Sequence, residues 1–385
     1  MGPLSGVRVI ELQGIGPGPF CAMMLADMGA EVIRVDRSGA PGGLQRERRY
    51  DLLARGRRSL RLDLKNASGV ETLLRLAERA DGLIEGFRPG VIERLGIGPD
   101  VLLGRNPRIV VGRMTGWGQD GPISHVAGHD INYISLAGAL FNIGQKDGPP
   151  VPPLNLVGDF GGGGMFLAFG MVCAMLSARQ SGRGQVVDSA MVDGAAVLCT
   201  SFFGQLAAGK LREGRGSGII NGGSHFYDAF ECADGEFVSI ASIEPQFYAE
   251  LCEHLELDTA DFGEQMNPHR WPEQREKIAT IFKTRSREEW TKRLEKTDIC
   301  FAPVLRMAEA LEHPHNLARE TFVEVDGIRQ PAPAPRFSET PAEIGGPPAE
   351  RGADTDEILG DWGFTSAEIL GLHEAGAITG LDPKS

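Results

Sequence analysis

His129 and Asp159 are the residues of this sequence whose types and surroundings suit proton transfer. An imidazole and a carboxylate can each accept or donate a proton near neutral pH when burial and neighbouring charges adjust their pKa values. Asp159 stands just before a run of glycines and an apolar segment, Met165 to Leu176, that we interpret as a buried helix. Unpaired backbone N–H groups and the positive dipole end at a helix start hold a carboxylate and stabilise negative charge on a bound oxygen.

Both residues also have simpler structural explanations. His129 and Asp130 could cap a helix that begins at Ile131, and Asp159 could be only an N-cap. Because caps are far commoner than catalytic carboxylates, the spacing of these residues alone does not separate the two hypotheses.

A local excess of positive charge precedes this region. Residues 34–65 contain ten Lys or Arg and four Asp or Glu, in a chain whose net charge is 39 − 52 = −13. One hypothesis is a solvated, mobile loop. The other is a receptor for a multiply phosphorylated ligand, formed by Arg37, Arg57, Arg58 and Lys65.

The composition limits the classes of partner. A strongly acidic chain argues against nucleic acid and against an anionic membrane surface. The six cysteines are scattered without C-x-x-C spacing, which indicates reduced thiols rather than a zinc site or a disulfide framework. No signal peptide pattern follows Met1. We therefore expect a cytoplasmic protein with no nucleic-acid and no membrane partner.

Strands and helices alternate in the first half of the chain. A strand at 7–12, a Gly-rich turn, a helix at 20–28 and a strand at 31–35 form a βαβ unit, and further strands are predicted at 80–85, 108–114 and 184–188. This alternation predicts an α/β fold with a Rossmann-like parallel sheet. Two prolines in the first turn remove N–H groups that a dinucleotide site would need, so a nicotinamide-dependent oxidoreductase is disfavoured.

The pattern changes near residue 226, where a hairpin and several helices predict a smaller α+β domain. The expected organisation is a large domain (1–208), a linker (209–225), the small domain (226–320), a return linker (321–353) and a C-terminal helical segment (354–385).

Several motifs stand out along the chain: Val9-Ile10-Glu11-Leu12, Gly16-Pro17-Gly18-Pro19, Gly128-His129-Asp130-Ile131-Asn132-Tyr133, the run from Pro153 to Gly163, Gly184-Gln185-Val186-Val187-Asp188 and Ile243-Glu244-Pro245-Gln246-Phe247-Tyr248. Taken in order, these motifs resemble the class III CoA-transferase superfamily and its α-methylacyl-CoA racemase branch. The resemblance covers nearly the whole chain and implies two interlocked protomers, that is, a homodimer.

The resemblance also implies roles for individual residues. His129 and Asp159 match an acid/base pair, and Glu244 matches the carboxylate that orients the histidine. The positions that match the binding site for the nucleotide and phosphates of CoA, or the loop near the thioester, are Arg37, Lys65, Arg88, Arg94, Gly128 and Tyr133.

Two short segments depart from the family pattern. Ser224-His225 stands where Ala-Pro is expected, and Ala241-Ser242 replaces Gly-Ala. Both departures bear on the acyl group of the substrate rather than on CoA.

The implied activity is interconversion of (R)- and (S)-2-methylacyl-CoA thioesters by α-proton abstraction and reprotonation through an enolate. It needs no metal and no cofactor, since CoA is part of the substrate. An alternative is a class III CoA-transferase in which Asp159 is the nucleophile and forms an aspartyl-CoA thioester. A CoA-binding protein without turnover is a third hypothesis.

Overall fold

The computed structural model describes residues 2–38 and 47–381. Contacts divide the chain into two units. The first contains the residues up to Ala137, then Leu154–Leu198, and the residues from Glu320 onward. The second contains Gly138–Pro153 and Cys199–Arg319. The domain limits expected from the sequence stay predictions.

A six-stranded parallel sheet forms the centre of the first unit, with strand order β3-β2-β1-β4-β5-β6. The Rossmann-like sheet predicted from the sequence is therefore confirmed. The strand order reverses between β1 and β4, because the chain proceeds from β1 to β2 and β3 on one side and from β4 to β5 and β6 on the other. Such a reversal leaves a crevice at the carboxyl ends of β1 and β4. The strands are β1 Arg8–Leu12, β2 Glu31–Arg37, β3 Arg58–Leu62, β4 Gly82–Glu85, β5 Val110–Thr115 and β6 Val186–Ala190.

The helices follow the strands in the alternation that a parallel sheet requires. In the part of the chain that the structure describes, the α-helices are α1 Pro17–Asp27, α2 Ala67–Ala77, α3 Val91–Arg94, α4 Pro99–Arg105, α5 Asp130–Leu136, α6 Phe166–Ser181, α7 Met191–Leu198, α8 Thr200–Ala207, α9 Pro245–His254, α10 Thr259–Phe262, α11 Trp271–Phe282, α12 Arg287–Leu294, α13 Met307–Ala310, α14 Pro314–Ala318, α15 Thr355–Asp361 and α16 Ser366–Glu374. Short 3₁₀ segments are Arg48–Tyr50, Leu52–Ala54 and Leu140–Asn142, and π-helical segments are Leu156–Met165 and Ile219–Gly223.

Two expectations about helices need correction. The single helix expected from Ser189 to Ala208 is instead the end of β6 followed by α7 and α8, which are separated at Cys199. The apolar segment 165–176 is not buried all round. Leu167, Met171 and Met175 pack against the sheet, whereas the opposite face of α6 is exposed, with Phe169 71% accessible. Apolarity alone does not reveal which helix faces the chain itself covers.

Residues 156–181 form a helix that is long and apolar enough, by length and composition, to cross a membrane, and 44% of its most apolar stretch is buried inside the protein. A single helix of this kind is weak evidence for a membrane span, because core helices of water-soluble proteins have the same character.

The second unit contains a three-stranded antiparallel sheet of β7 Tyr227–Glu231, β8 Phe237–Ala241 and β9 Phe301–Val304. The core beneath it is aromatic, and Phe226, Trp271, Phe282 and Trp290 are among its buried side chains. The hairpin predicted between residues 226 and 240 is present. A separate antiparallel pair, β10 Phe322–Val325 and β11 Ile328–Pro331, lies in the first unit.

Candidate active site

Asp159 lies beside the loop that follows β1. The loop after β1 passes directly beneath its carboxylate, because a Cβ on Gly16 would lie 3.1 Å from Asp159 Oδ2. Gly16 also has a φ of +66°, which L residues with side chains rarely adopt. A glycine is thus required here both by the backbone conformation and by the close approach of the carboxylate.

The carboxylate is carried by an unusually wide helical segment. Leu156–Met165 is a π-helix, in which Phe160 N donates to Asn155 O, five residues earlier, at 3.3 Å. π-Helical segments are frequent at functional sites. The glycines that follow Asp159 let this helix pack closely: a Cβ on Gly162 would lie 2.6 Å from Ala195 N, and one on Gly164 would lie 2.7 Å from Phe20 Cδ1.

Three neighbours define the surroundings of the Asp159 side chain, which is half-buried. Asn155 Nδ2 donates to Asp159 Oδ2 at 3.0 Å, and the main-chain N–H of Asp159 donates to Asp130 Oδ1 at 2.7 Å. Burial is the largest cause that raises the pKa of Asp159, and the charge of Asp130 raises it further. The Asn155 hydrogen bond and His129 act in the opposite direction, and the net pKa is above the ordinary value.

His129 immediately precedes α5 and is exposed. The imidazole does not cap α5. The main chain of His129 and the side chain of Asn132 do so instead: His129 N donates to Asn132 Oδ1 at 3.0 Å, and Asn132 N donates to His129 O at 2.8 Å. The imidazole makes no hydrogen bond to any of the described residues. Asp130, the next residue in the chain, accepts from Asp159 N at 2.7 Å, which brings the segment that contains His129 up to Asp159. The structure thus places the start of α5 beside Asp159, and the joint role of His129 and Asp159 stays a prediction.

A rigid aromatic pair supports the start of α5. The hydroxyl of Tyr133 donates to Gly128 O, and its ring meets Trp117 edge-on at 4.8 Å between centroids. A Cβ on Gly116 would lie 2.0 Å from the Tyr133 ring. Burial, followed by the charge of Asp159, raises the pKa of the Tyr133 hydroxyl, so the phenol stays protonated.

Many arginines of the basic region have structural partners. Arg57, whose side chain is fully buried, pairs with Glu11 at 2.6 Å, and Arg58 pairs with Glu31 at 2.5 Å. The hypothesis that Arg57 contacts a phosphorylated ligand is therefore wrong, because its guanidinium is enclosed beside a carboxylate.

Four other cations are free to meet an anion. Arg37 ends β2, Lys65 follows β3, and Arg88 and Arg94 follow β4, so all four lie toward the carboxyl edge of the sheet. Their side chains are exposed and form no ion pair within residues 2–38 and 47–381. The structure separates these cations from the paired arginines, and their role in binding CoA stays a prediction.

Glu244 belongs to the second unit, where it is exposed at the N-cap of α9. Its carbonyl oxygen accepts from Tyr248 N at 2.9 Å. Its partnership with His129 stays a prediction. Ser224 and His225, which the sequence placed in a linker, are fully buried in the aromatic core of the second unit. We therefore assign them a structural role rather than a role in substrate choice.

Two residues that shape the site were missed by sequence reasoning as contacts of Asp159. Asn155 lies four residues before Asp159, and this spacing on a helix is the signal that could have indicated their hydrogen bond. Asp130 was considered only as a helix cap, since its contact with Asp159 spans 29 positions. Among the described residues, no group of three or more His, Cys, Asp or Glu side chains is placed to hold a metal ion.

Comparison with known proteins finds similar sequences and a similar fold over nearly the whole chain. The family model of CoA-transferase family III matches residues 4–355. The chain is 47% identical over 376 residues to α-methylacyl-CoA racemase of Mus musculus and 43% identical over 379 residues to that of Homo sapiens, with 96% of both chains covered in each case. The crystal structure of a hypothetical protein (Rv3272) from Mycobacterium tuberculosis has a TM-score of 0.79 at 28% identity, over 93% of this chain and 99% of that one.

Proposed function

The chain belongs to CoA-transferase family III, and from that premise we propose that it is a racemase of 2-methylacyl-CoA thioesters, which interconverts their (R) and (S) forms. The observation that carries this proposal is the placement of Asp159, a half-buried carboxylate with a raised pKa, whose main-chain N–H donates to Asp130, the residue that follows His129. An acid and a base that share one crevice are what inversion at an α-carbon requires.

The proposed reaction runs in two proton transfers. The thioester makes the α-hydrogen weakly acidic, and one of the two side chains removes it to give an enolate. The other side chain then returns a proton to the opposite face. For one enantiomer Asp159 is the base and His129 the acid, and for the other enantiomer the roles are exchanged. A carboxyl group whose pKa lies above the ordinary value is well suited to both roles.

CoA supplies the binding energy in this proposal. We propose that Arg37, Lys65, Arg88 and Arg94 bind its nucleotide and phosphates through charge-assisted hydrogen bonds. The loop from Gly128 to Tyr133 then lies beside the thioester. No separate cofactor and no metal is proposed, because both proton transfers are made by side chains.

Glu244 completes the proposed machinery as the carboxylate that orients His129. A carboxylate that accepts from one ring nitrogen fixes the tautomer of an imidazole and favours its protonated form.

We also propose that the active protein is a homodimer. The exposed face of α6 carries Phe169, Val172 and Leu176, and Met165, just before α6, is exposed as well. Apolar surface of this kind marks an interaction site. A second copy of the chain is the expected partner. The cytoplasm is the proposed location, because the six cysteines are free thiols and a reducing compartment keeps thiols in that form.

The test is incubation of the protein with a single enantiomer of a 2-methylacyl-CoA in deuterated water. We expect one deuterium at the α-carbon and a mixture of both configurations. The variants His129→Ala and Asp159→Asn should each lose inversion, and any remaining exchange should be confined to the enantiomer whose base is intact. Transfer of CoA to a free acid, an Asp159 adduct trapped by hydroxylamine and no α-deuterium would instead establish the transferase activity.

A further inference from the structure

Asp130 is a buried carboxylate that the proposed reaction does not yet use. It is the first residue of α5 and is 8% exposed. Its Oδ1 accepts the main-chain N–H of Asp159 at 2.7 Å. This contact is possible only because residue 158 is glycine, since a Cβ there would lie 2.4 Å from the same oxygen.

The second carboxylate oxygen of Asp130 has no partner. Oδ2 is buried and makes no hydrogen bond within the part of the chain that the structure describes. A buried carboxylate with an unsatisfied oxygen is costly. A neutral asparagine or serine could accept the main-chain N–H of Asp159 equally well. The negative charge itself therefore needs an explanation.

Several ionisable groups surround the Asp159 carboxylate, and they do not act in the same direction. Asp130 raises the pKa of Asp159 and His129 lowers it. Burial and the charges of Asp159 and Asp130 raise the pKa of Tyr133, and the cation of Arg88 lowers it. Among the charged groups that influence Asp159, Asp130 is the one that opposes its ionisation, which is the expected effect of one carboxylate on another nearby.

We propose that Asp130 is a positioning residue for the α-proton transfer: Oδ1 fixes the main chain of Asp159, and the charge of Asp130 keeps the Asp159 carboxylate able to return a proton as well as remove one. The inference rests on the proposed racemase function. A raised pKa makes a carboxylate a stronger base, and it also leaves more of the protonated form available, which a group that must be the acid for half of the turnovers needs. Asp130 itself transfers no proton in this scheme.

Asp130→Asn separates the two contributions. The amide oxygen can still accept from Asp159 N–H, but the charge is removed. We expect the acidic limb of the pH profile of α-deuterium exchange to move to lower pH by about 0.5–1 unit, because Asp159 ionises more readily. Asp130→Ala removes the hydrogen bond as well and should reduce kcat further, with little change in KM.

A matched control is Asp193→Asn, which removes an exposed carboxylate from α7, a helix that packs on the π-helix, without touching Asp159. Its pH profile should coincide with that of the wild type. If Asp130→Asn shows no cooperative unfolding transition, Asp130→Ser, whose hydroxyl can accept the same hydrogen bond, takes its place. If the wild type exchanges the α-hydrogen and the folded variant shows an acidic limb at the same pH as the wild type, the role assigned to Asp130 is wrong and the racemase proposal is not affected. Absence of exchange in the wild type would overturn the racemase proposal and this inference with it.

Discussion

His225 is a buried histidine whose hydrogen bonds define one protonation state. Tyr248 Oη donates to Phe262 O at 2.9 Å, so Nε2 of His225, 2.7 Å from the same hydroxyl, must donate to it. Nδ1 is buried and has no partner among the described residues. Burial accordingly lowers the pKa of His225 from 6.5 to about 4. The neutral ring is part of the native core of the second unit.

This protonation state makes stability depend on pH. The unfolded chain binds a proton at His225 below pH 6.5 and the native chain only near pH 4, so the stabilising contribution is complete above 6.5 and is lost as the pH falls toward 4. The loss should reach roughly 3 kcal/mol. We expect the free energy of unfolding of the wild type to fall more steeply between pH 7 and 4.5 than that of His225→Gln, as measured by urea titration. Parallel curves for the two proteins would contradict this prediction.

The chemical types at the site could be predicted from the sequence, but their partners could not. His129 and Asp159 were candidates because of their residue types and surroundings, and the family resemblance then implied their roles. By contrast, the basic region gave no indication of which cations were free. Arg57 pairs with Glu11 and Arg55 with Asp27, and these partners are distant in sequence rather than one helical turn away. An ion pair between distant positions has no periodic signal in a sequence.

At the scale of elements, one arginine joins the strand ends that carry the proposed CoA ligands. Arg113, on β5, donates to Glu85 at 2.8 Å and contacts Glu93 on α3 at 2.8 Å. Glu85 also accepts from Phe87 N at 2.7 Å, which fixes the turn leading to Arg88. This group of charges sets the positions of the loop and helix on which the two phosphate-binding candidates lie.

Glu93→Ala should loosen α3 while leaving the Arg113–Glu85 pair intact. Because Glu93 is partly exposed, the effect should be modest: KM for an acyl-CoA should rise about two- to fivefold, with kcat little changed. Steady-state kinetics of the wild type and variant give the answer directly. Glu71→Ala, which removes a partner of Arg105 on the surface of α2, is the control and should leave both constants unchanged. A fall in kcat at constant KM would show that Glu93 acts on the chemical step instead.

The alternation of strands and helices predicted the parallel sheet, yet β3 was missed. Its sequence, Arg-Ser-Leu-Arg-Leu, lies in the basic region and contains only two apolar residues, Leu60 and Leu62, which are fully buried. Burial of a charged strand depends on carboxylates supplied by other elements, and local composition does not contain that information. The π-helix was also beyond reach, because its wide turn depends on glycines packing against α1 and α7.

At the scale of the whole molecule, the uncovered face of α6 leads to a prediction about assembly. Phe169 is 71% exposed at the centre of that face, so Phe169→Glu should fold normally but should destabilise a homodimer by placing a charge in an apolar interface. Light scattering should give twice the chain mass of 41.4 kDa for the wild type and the chain mass for the variant. Leu370→Glu, at an exposed position of α16 outside this face, should stay dimeric. A monomeric wild type would refute the proposed assembly.

The C-terminal residues close the open edge of the sheet, and this has a consequence for biosynthesis. Leu62 on β3 pairs with Ile378, and Ser59 N donates to Asp354, 295 positions later. At ribosomal rates of about 5–20 residues per second, β3 waits roughly 15 to 60 seconds for its cover. An open strand edge invites pairing with other nascent chains, and charged side chains discourage it. Arg58 and Arg61, which obscure the strand pattern of β3 in the sequence, should therefore oppose such pairing while the rest of the chain is being made.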